Sequence, residues 1–180
     1  MVTERAQDGF VRSELAIRAA TRDDARAMND IYNRYVASSH ATFDLEPMTI
    51  GARLGWLAEH GGGRHRAIVA VRDGAVLGFA CSGRYRIRPA YDPSVETSVY
   101  VDERHTGRGI GTRLYAALFD RLRHEDVHRA YAGIALPNPA SVAVHERCGF
   151  REVGRFTEQG RKFGRYWDVA WFERPMPGPG

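Results

Sequence analysis

Three glycines at alternate positions, Gly107, Gly109 and Gly111, stand in the stretch Arg104-His105-Thr106-Gly107-Arg108-Gly109-Ile110-Gly111-Thr112. Glycines so spaced let a backbone turn tightly and approach a ligand, and the N–H groups opening a following helix form a socket for phosphate oxygens. The flanks predict that setting, with a strand over 95–101 before the turn and an apolar-periodic helix over 111–123 after it. Arg104 and Arg108 flank the socket. The spacing R-x-x-G-x-G-x-G is neither that of a P-loop, G-x-x-x-x-G-K-S/T, nor the dinucleotide fingerprint G-x-G-x-x-G, and Thr at position 112 fits neither. An ordinary Gly-rich strand-to-helix turn is the alternative; the arginines and the helix together favour an anion.

Three further groups could do chemistry. Glu96 shares a strand face with Ser98 and Tyr100 at the period of two. A carboxylate in an apolar, β-rich segment is costly unless it is paired or working, so Glu96 is either a general base or the partner of a nearby arginine. His145 follows Ser141 by four residues and Asn138 by seven, which places all three on one helix face. It either reaches a reacting group or is a satisfied core histidine. Arg86, Arg88 and Tyr91 occupy the loop before Glu96, where a forked guanidinium would suit a tetrahedral anionic or strongly polar group. A solvated charged loop is the other reading of that segment, and the favoured one for Arg88. The remaining histidines have no assigned role.

These residues need a scaffold, and the pattern supplies one. A strand over 13–19 precedes a helix whose apolar residues run from Ala25 to Val36, and Thr49 caps a second helix that ends at Gly61-Gly62-Gly63. Asp73-Gly74 marks a hairpin between strands over 67–71 and 75–84. After the Gly-rich turn come the helix, a strand over 128–134, a short helix opened by Asn138-Pro139 and closed by Gly149, and strands over 150–156 and 166–172. The order is β-α-α-β-β-β-α-β-α-β-β, without repeat or dividing linker. The expected organisation is a flexible extension over 1–13, one domain over 14–175 and a loose tail over 176–180.

At 180 residues, 43% hydrophobic and 27% charged, the chain has the composition of a soluble globular protein and the length of one domain. Its net charge of +4 suits anionic ligands. The basic residues are scattered, which argues against nucleic acid as a partner. No apolar run long enough for a membrane span or a secretory leader is seen, so a cytoplasmic location is expected. Cys81 and Cys148 suit a reducing compartment, and no Cys/His spacing suggests a metal. Cys148 at a helix C-terminus and Cys81 in a strand are poor thiolates, so a covalent route through cysteine is not expected.

The element order, R-x-x-G-x-G at the strand-to-helix turn, and Asn138 with His145-Glu146-Arg147-Cys148-Gly149-Phe150 resemble the GNAT superfamily of N-acetyltransferases. Phe43-x-x-Glu46-Pro47, Ala90-Tyr91-Asp92, Val95-Glu96-x-Ser98-Val99-Tyr100-Val101, Leu136-Pro137-Asn138 and Lys162-Phe163-Gly164 narrow this to a resemblance to phosphinothricin and methionine sulfoximine acetyltransferases. The resemblance implies an α/β fold with a mixed sheet of about seven strands and about four helices. It implies acetyl-CoA as co-substrate, a small amino-acid-like amine as acceptor, and a homodimer. Amides over Thr106, Gly107, Arg108, Gly109, Ile110, Gly111 and Thr112 would hold the pyrophosphate. The backbone of Val99, Tyr100 and Val101, together with Asn138, would hold the pantetheine; a plain N-cap is the other reading of Asn138. The match also points to Glu96 as base, to His145 at the position where most relatives carry a tyrosine acid, and to Phe43, Glu46, Tyr85, Arg86 and Tyr91 as the acceptor pocket. Rival acceptors are a polyamine, an aminoglycoside or a peptide N-terminus, and a rival class is a non-catalytic acetyl-CoA sensor.

Overall fold

The structure, a computed structural model, describes residues 14–178. The expected extension over 1–13, the start of the first expected strand at Ser13, and Pro179 and Gly180 lie outside the described residues. The chain runs β1 (Ala16–Ala19), α1 (Ala25–Ser38), α2 (Ile50–Glu59), β2 (Gly61–Gly62), β3 (His65–Arg72), β4 (Ala75–Arg84), β5 (Ser94–Val101), α3 (Ile110–Leu122), β6 (Arg129–Ala135), α4 (Pro139–Arg147), β7 (Arg151–Lys162) and β8 (Arg165–Pro175). The strands form one eight-stranded sheet in the order β1-β3-β4-β5-β6-β8-β7, with β2 pairing β3 beside that path. Among the described pairings only β5–β6 is parallel, because α3 makes the crossover between them.

Each sheet face has its own apolar cluster. α3 lays Ile110, Leu114, Tyr115, Leu118 and Leu122 against Ile68, Ala80, Val95 and Ala130. α1 and α2 lay Met28, Ile31 and Leu57 against Val69 and Phe79 on the other face. The alternation of β5 follows from this. Val95 belongs to the α3 cluster, whereas Tyr100 packs beside Phe79 and the α1 tyrosines, so Glu96, Ser98 and Tyr100 face α1 and α2.

Three elements differ from the sequence expectation. Gly61-Gly62 ends α2 and also pairs with His65 and Arg66 as the short strand β2. The β7–β8 hairpin extends well past its expected ends, turning at Phe163-Gly164 with φ of 53° and 75°. Two successive left-handed residues match the twist of a two-residue hairpin. Nearly all of β7 is exposed, so its outer half shows no apolar alternation for a sequence pattern to register. Met176, expected in the loose tail, is 5% exposed and donates its N–H to the His128 carbonyl.

Candidate active site

β5 and β6 pair only at Ser94–Arg129, Val95–Ala130 and Glu96–Tyr131. Beyond Glu96 they part: β5 stays on β4 as far as Val101, and β6 stays on β8 as far as Ala135. The Thr97 hydroxyl donates to the Tyr131 carbonyl at 3.2 Å and closes the apex of the wedge. The two facing edges therefore present backbone donors and acceptors that the sheet does not use. A cleft of about 330 Å³ fills the opening, lined by Thr97 to Val101, the Gly-rich turn, Gly133 to Ala135, and one side of α4.

The Gly-rich turn forms the outer end of the cleft. Gly107 and Gly109 have φ of 72° and 74°, and Gly109 caps α3 in that left-handed conformation. Its geometry leaves the N–H groups of Ile110, Gly111 and Thr112 without helical carbonyls to bind, which makes an anion socket. The two arginines do not flank it as expected. Arg104 reaches back to Asp102, with Nε to Oδ1 at 3.0 Å and a terminal nitrogen to Oδ2 at 2.6 Å. Arg108 is exposed and outside the cleft lining. Their task is taken by backbone, and Asp102 becomes the brace of the turn. It also accepts the Arg104 N–H and lies 3.5 Å from Arg34. The Arg104 hydrogen bonds outweigh burial and hold its carboxyl down at about 2. Val99, Tyr100, Val101, Thr106, Gly107, Gly109, Ile110, Gly111, Thr112 and Asn138 all line the cleft.

Glu96 lies just past the inner end of the cleft, which begins at Thr97. Among the described residues no basic nitrogen lies within 4 Å of its carboxylate, so the arginine-paired alternative is not realised. Burial pushes its pKa up, and the charge of Arg86 only partly opposes this. Arg86 lies over the Tyr85 ring at 4.6 Å. Tyr85 stacks on Tyr131 at 4.4 Å and meets Tyr91 and Trp171 edge-on at 6.1 and 6.2 Å. Tyr131 is the register partner of Glu96. An aromatic group with one cation thus stands beside the carboxylate. Phe43 lies elsewhere, over Gly160 of β7, and Glu46 is exposed on the loop after α1.

His145 reaches the same cleft from the opposite sheet face and is 4% exposed. Its Nδ1 lies 2.8 Å from the Ser141 carbonyl, which can only accept, so Nδ1 carries the proton. Nε2 then accepts from the Tyr115 hydroxyl at 2.9 Å. Burial lowers its pKa, and the ring is neutral. Both nitrogens are engaged, and the core-histidine reading describes its surroundings. Asn138 caps α4 by accepting the Ser141 N–H, which leaves its Nδ2 amide to meet a ligand, so its two readings coexist.

Burial pushes the Cys81 thiol up to about 12 and raises Cys148 as well, so neither is a ready nucleophile. The sequence reading missed Tyr35, Ala41, Thr97, His105 and Gly133 in the lining, Tyr131 beside Glu96, and Trp171 against Tyr85. One signal was present. Gly133 inside a strand marks a close approach, here to Trp171 and Val169 at 3.4 Å from where a Cβ would stand.

A parted parallel strand pair, a glycine turn capping the crossover helix, and a half-buried carboxylate beside the apex together form the candidate active site. The chain belongs to the acetyltransferase (GNAT) family, which matches residues 27–150. It is 52% identical to a phosphinothricin N-acetyltransferase of Streptomyces coelicolor, over 91% of this chain and 98% of that one. It is 31% identical to an L-methionine sulfoximine/L-methionine sulfone acetyltransferase of Salmonella typhimurium, over 88% and 92%. The crystal structure of a GNAT superfamily phosphinothricin acetyltransferase from Sinorhizobium meliloti in complex with AcCoA superposes with a TM-score of 0.87 at 31% identity, over 92% and 90% of the two chains.

Proposed function

We propose that this protein transfers acetyl from acetyl-CoA to the α-amine of a small amino-acid analogue with a tetrahedral phosphinate, sulfoximine or sulfone head, by direct transfer in a ternary complex. The observation that carries this reading is the position of Glu96, desolvated at the apex of the wedge with a single cation, Arg86, nearby. The cleft fits the co-substrate on three counts. The N–H groups opening α3 suit a pyrophosphate, the unpaired edges of β5 and β6 suit the amides of a pantetheine arm, and the apex suits a thioester.

Acetyl-CoA, when bound, supplies the activated acetyl thioester. The amine comes from the α1–α2 face, where Glu96 takes its proton, directly or through a water, and frees the nitrogen lone pair to attack the acetyl carbonyl; the new C–N bond replaces the thioester C–S bond, and coenzyme A would leave as its thiolate and take a proton from solvent. A carboxyl with a raised pKa is a better base than an ordinary glutamate near neutral pH. Arg86 binds the tetrahedral head, framed by Tyr85 and Tyr91, while Phe43 and Glu46 stand apart on the loop after α1. The same charge argues against a polycationic acceptor. His145 acts from the α3–α4 face by tying α4 to the Tyr115 hydroxyl of α3.

We place the enzyme in the cytoplasm; its two cysteines are free, which suits a reducing compartment. We further propose a homodimer through the outer strand β7, where Val153 and Phe156 are 48% and 57% exposed. The deciding experiment is an acetyl-CoA turnover screen across phosphinothricin, methionine sulfoximine and sulfone, free amino acids, spermidine and peptide N-termini. Efficient turnover of the first group supports the proposal. Turnover of spermidine or peptides alone would leave an acetyltransferase with a different acceptor.

A further inference from the structure

We propose that Lys162 is a positioning residue for the acceptor amine: from the tip of the β7–β8 hairpin its ammonium latches the loop after α1 and so fixes the acceptor mouth of the cleft. This rests on the reading that amine acceptors enter from the α1–α2 face. Lys162 is the only lysine in the chain, and it is 3% exposed at a hairpin tip whose neighbours are exposed. Its Nζ donates to the Thr42 carbonyl at 2.7 Å and lies 3.5 Å from the Tyr35 carbonyl, the last turn of α1.

Two other contacts clamp the same loop to the hairpin. Phe43 covers Gly160 so closely that a Cβ there would stand 2.2 Å from the ring. His40 stacks on Trp167 at 4.0 Å, and its Nε2–H donates to the Pro137 carbonyl at 2.9 Å. The Trp167 indole in turn donates to the Lys162 carbonyl at 3.0 Å. The clamped segment is part of the site. Tyr35 and Ala41 line the cleft, and the Tyr35 hydroxyl donates to the Val101 carbonyl of β5 at 2.6 Å.

The chemistry explains the residue type. A methionine would fill the same volume but take the Nζ donor from the Thr42 carbonyl and leave the Tyr35 carbonyl with the Ser39 N–H alone, and a buried acceptor left unmatched is costly. A compact ammonium with freely rotating donors reaches both carbonyls, a task to which the fixed fork of a planar guanidinium is less suited. Burial lowers the Lys162 pKa and Asp44 opposes it. Either protonation state keeps the N–H donors the latch needs.

Lys162→Met should raise the acceptor KM about 10-fold or more, the scale of one charge-assisted hydrogen bond, with a smaller change in kcat. Acetyl-CoA affinity by calorimetry should be unchanged. Hydrogen exchange at residues 42–44 should accelerate while residues 106–112 keep their protection. Gly160→Ala displaces Phe43 with the lysine intact and should give the same split, so it carries the test if Lys162→Met does not fold. A loosened loop with an unchanged acceptor KM would overturn the proposal, as would acceptor KM and acetyl-CoA affinity worsening together. The exchange measurement needs no turnover: unchanged protection at 42–44 removes the latch even if the wild-type enzyme accepts none of the proposed amines, a result that counts separately against the proposed function.

Discussion

At the scale of residues, the decisive balance is between the cost of burying the Glu96 carboxylate and the pull of Arg86. Burial is the larger effect, and the carboxyl pKa is raised. Glu96→Gln should lower kcat about 100-fold or more near neutral pH while acetyl-CoA still binds, and the deficit should shrink at high pH, where the amine is already neutral. Steady-state kinetics from pH 6 to 10 check this, and an equal deficit throughout would mean a structural carboxylate. Arg86→Ala removes the charge that holds the carboxyl down, so the acid limb of kcat/KM should move to higher pH. The same change should reduce kcat/KM for methionine sulfoximine about 10- to 150-fold, as for the loss of one charge-assisted contact of about 1.5–3 kcal/mol. A limb that stays in place would separate Arg86 from Glu96. His145→Ala removes one of the hydrogen-bond partners of the buried Tyr115 hydroxyl, leaving Thr97, and should cost about 1–3 kcal/mol in urea unfolding. Its turnover should fall less than that of Glu96→Gln, and a wild-type rate would leave His145 as packing alone.

At the scale of elements, the turn between β5 and α3 carries two separable demands. Gly109 has open space around it and a φ of 74°, so a side chain there is resisted by backbone conformation and not by neighbours. Gly109→Val should therefore distort the N-terminal turn of α3 and weaken acetyl-CoA binding. Calorimetry on the folded variant measures this; unchanged affinity would remove the socket from the mechanism. Asp102 makes the other demand, since it ties Arg104, Arg34 and the turn backbone together. Its pKa of about 2 is depressed, so the stability it contributes is present above the ordinary carboxylate range near 4 and lost as pH falls toward 2. Asp102→Asn should flatten that part of the acid-unfolding curve. A curve identical to wild type would show that the brace does not stabilise the fold.

At the scale of the whole molecule, β7 is the outer strand of the sheet, and nearly all of its residues are exposed. A long uncovered edge of that kind is a template for further strand pairing. If β7 is the dimer seam, Phe156→Arg should shift light-scattering mass from dimer toward monomer. A wild-type protein that is monomeric at high concentration would remove the homodimer from the proposal. No helix among the described residues is long and apolar enough to cross a membrane.

Local chemistry made much of this protein legible from its sequence. The Gly-rich turn, the α3 stripe of Leu114, Tyr115, Leu118 and Leu122, the Asp73-Gly74 hairpin and the Asn138 cap are each encoded within a few residues, because φ preference, periodicity and capping are short-range. Even the family was readable from motifs. The parting of β5 from β6 was not, because it depends on where two strands far apart in the chain stop pairing, and no residue of either strand records that point. The same reason hid Tyr131 beside Glu96 and Trp171 against Tyr85, turned Arg104 from the socket to Asp102, and left open whether Glu96 was paired. Lys162 is the sharpest case. In the sequence it is one basic residue before a Phe-Gly turn, and only the packing of the hairpin tip on the loop after α1 buries it and gives its ammonium two carbonyls to hold.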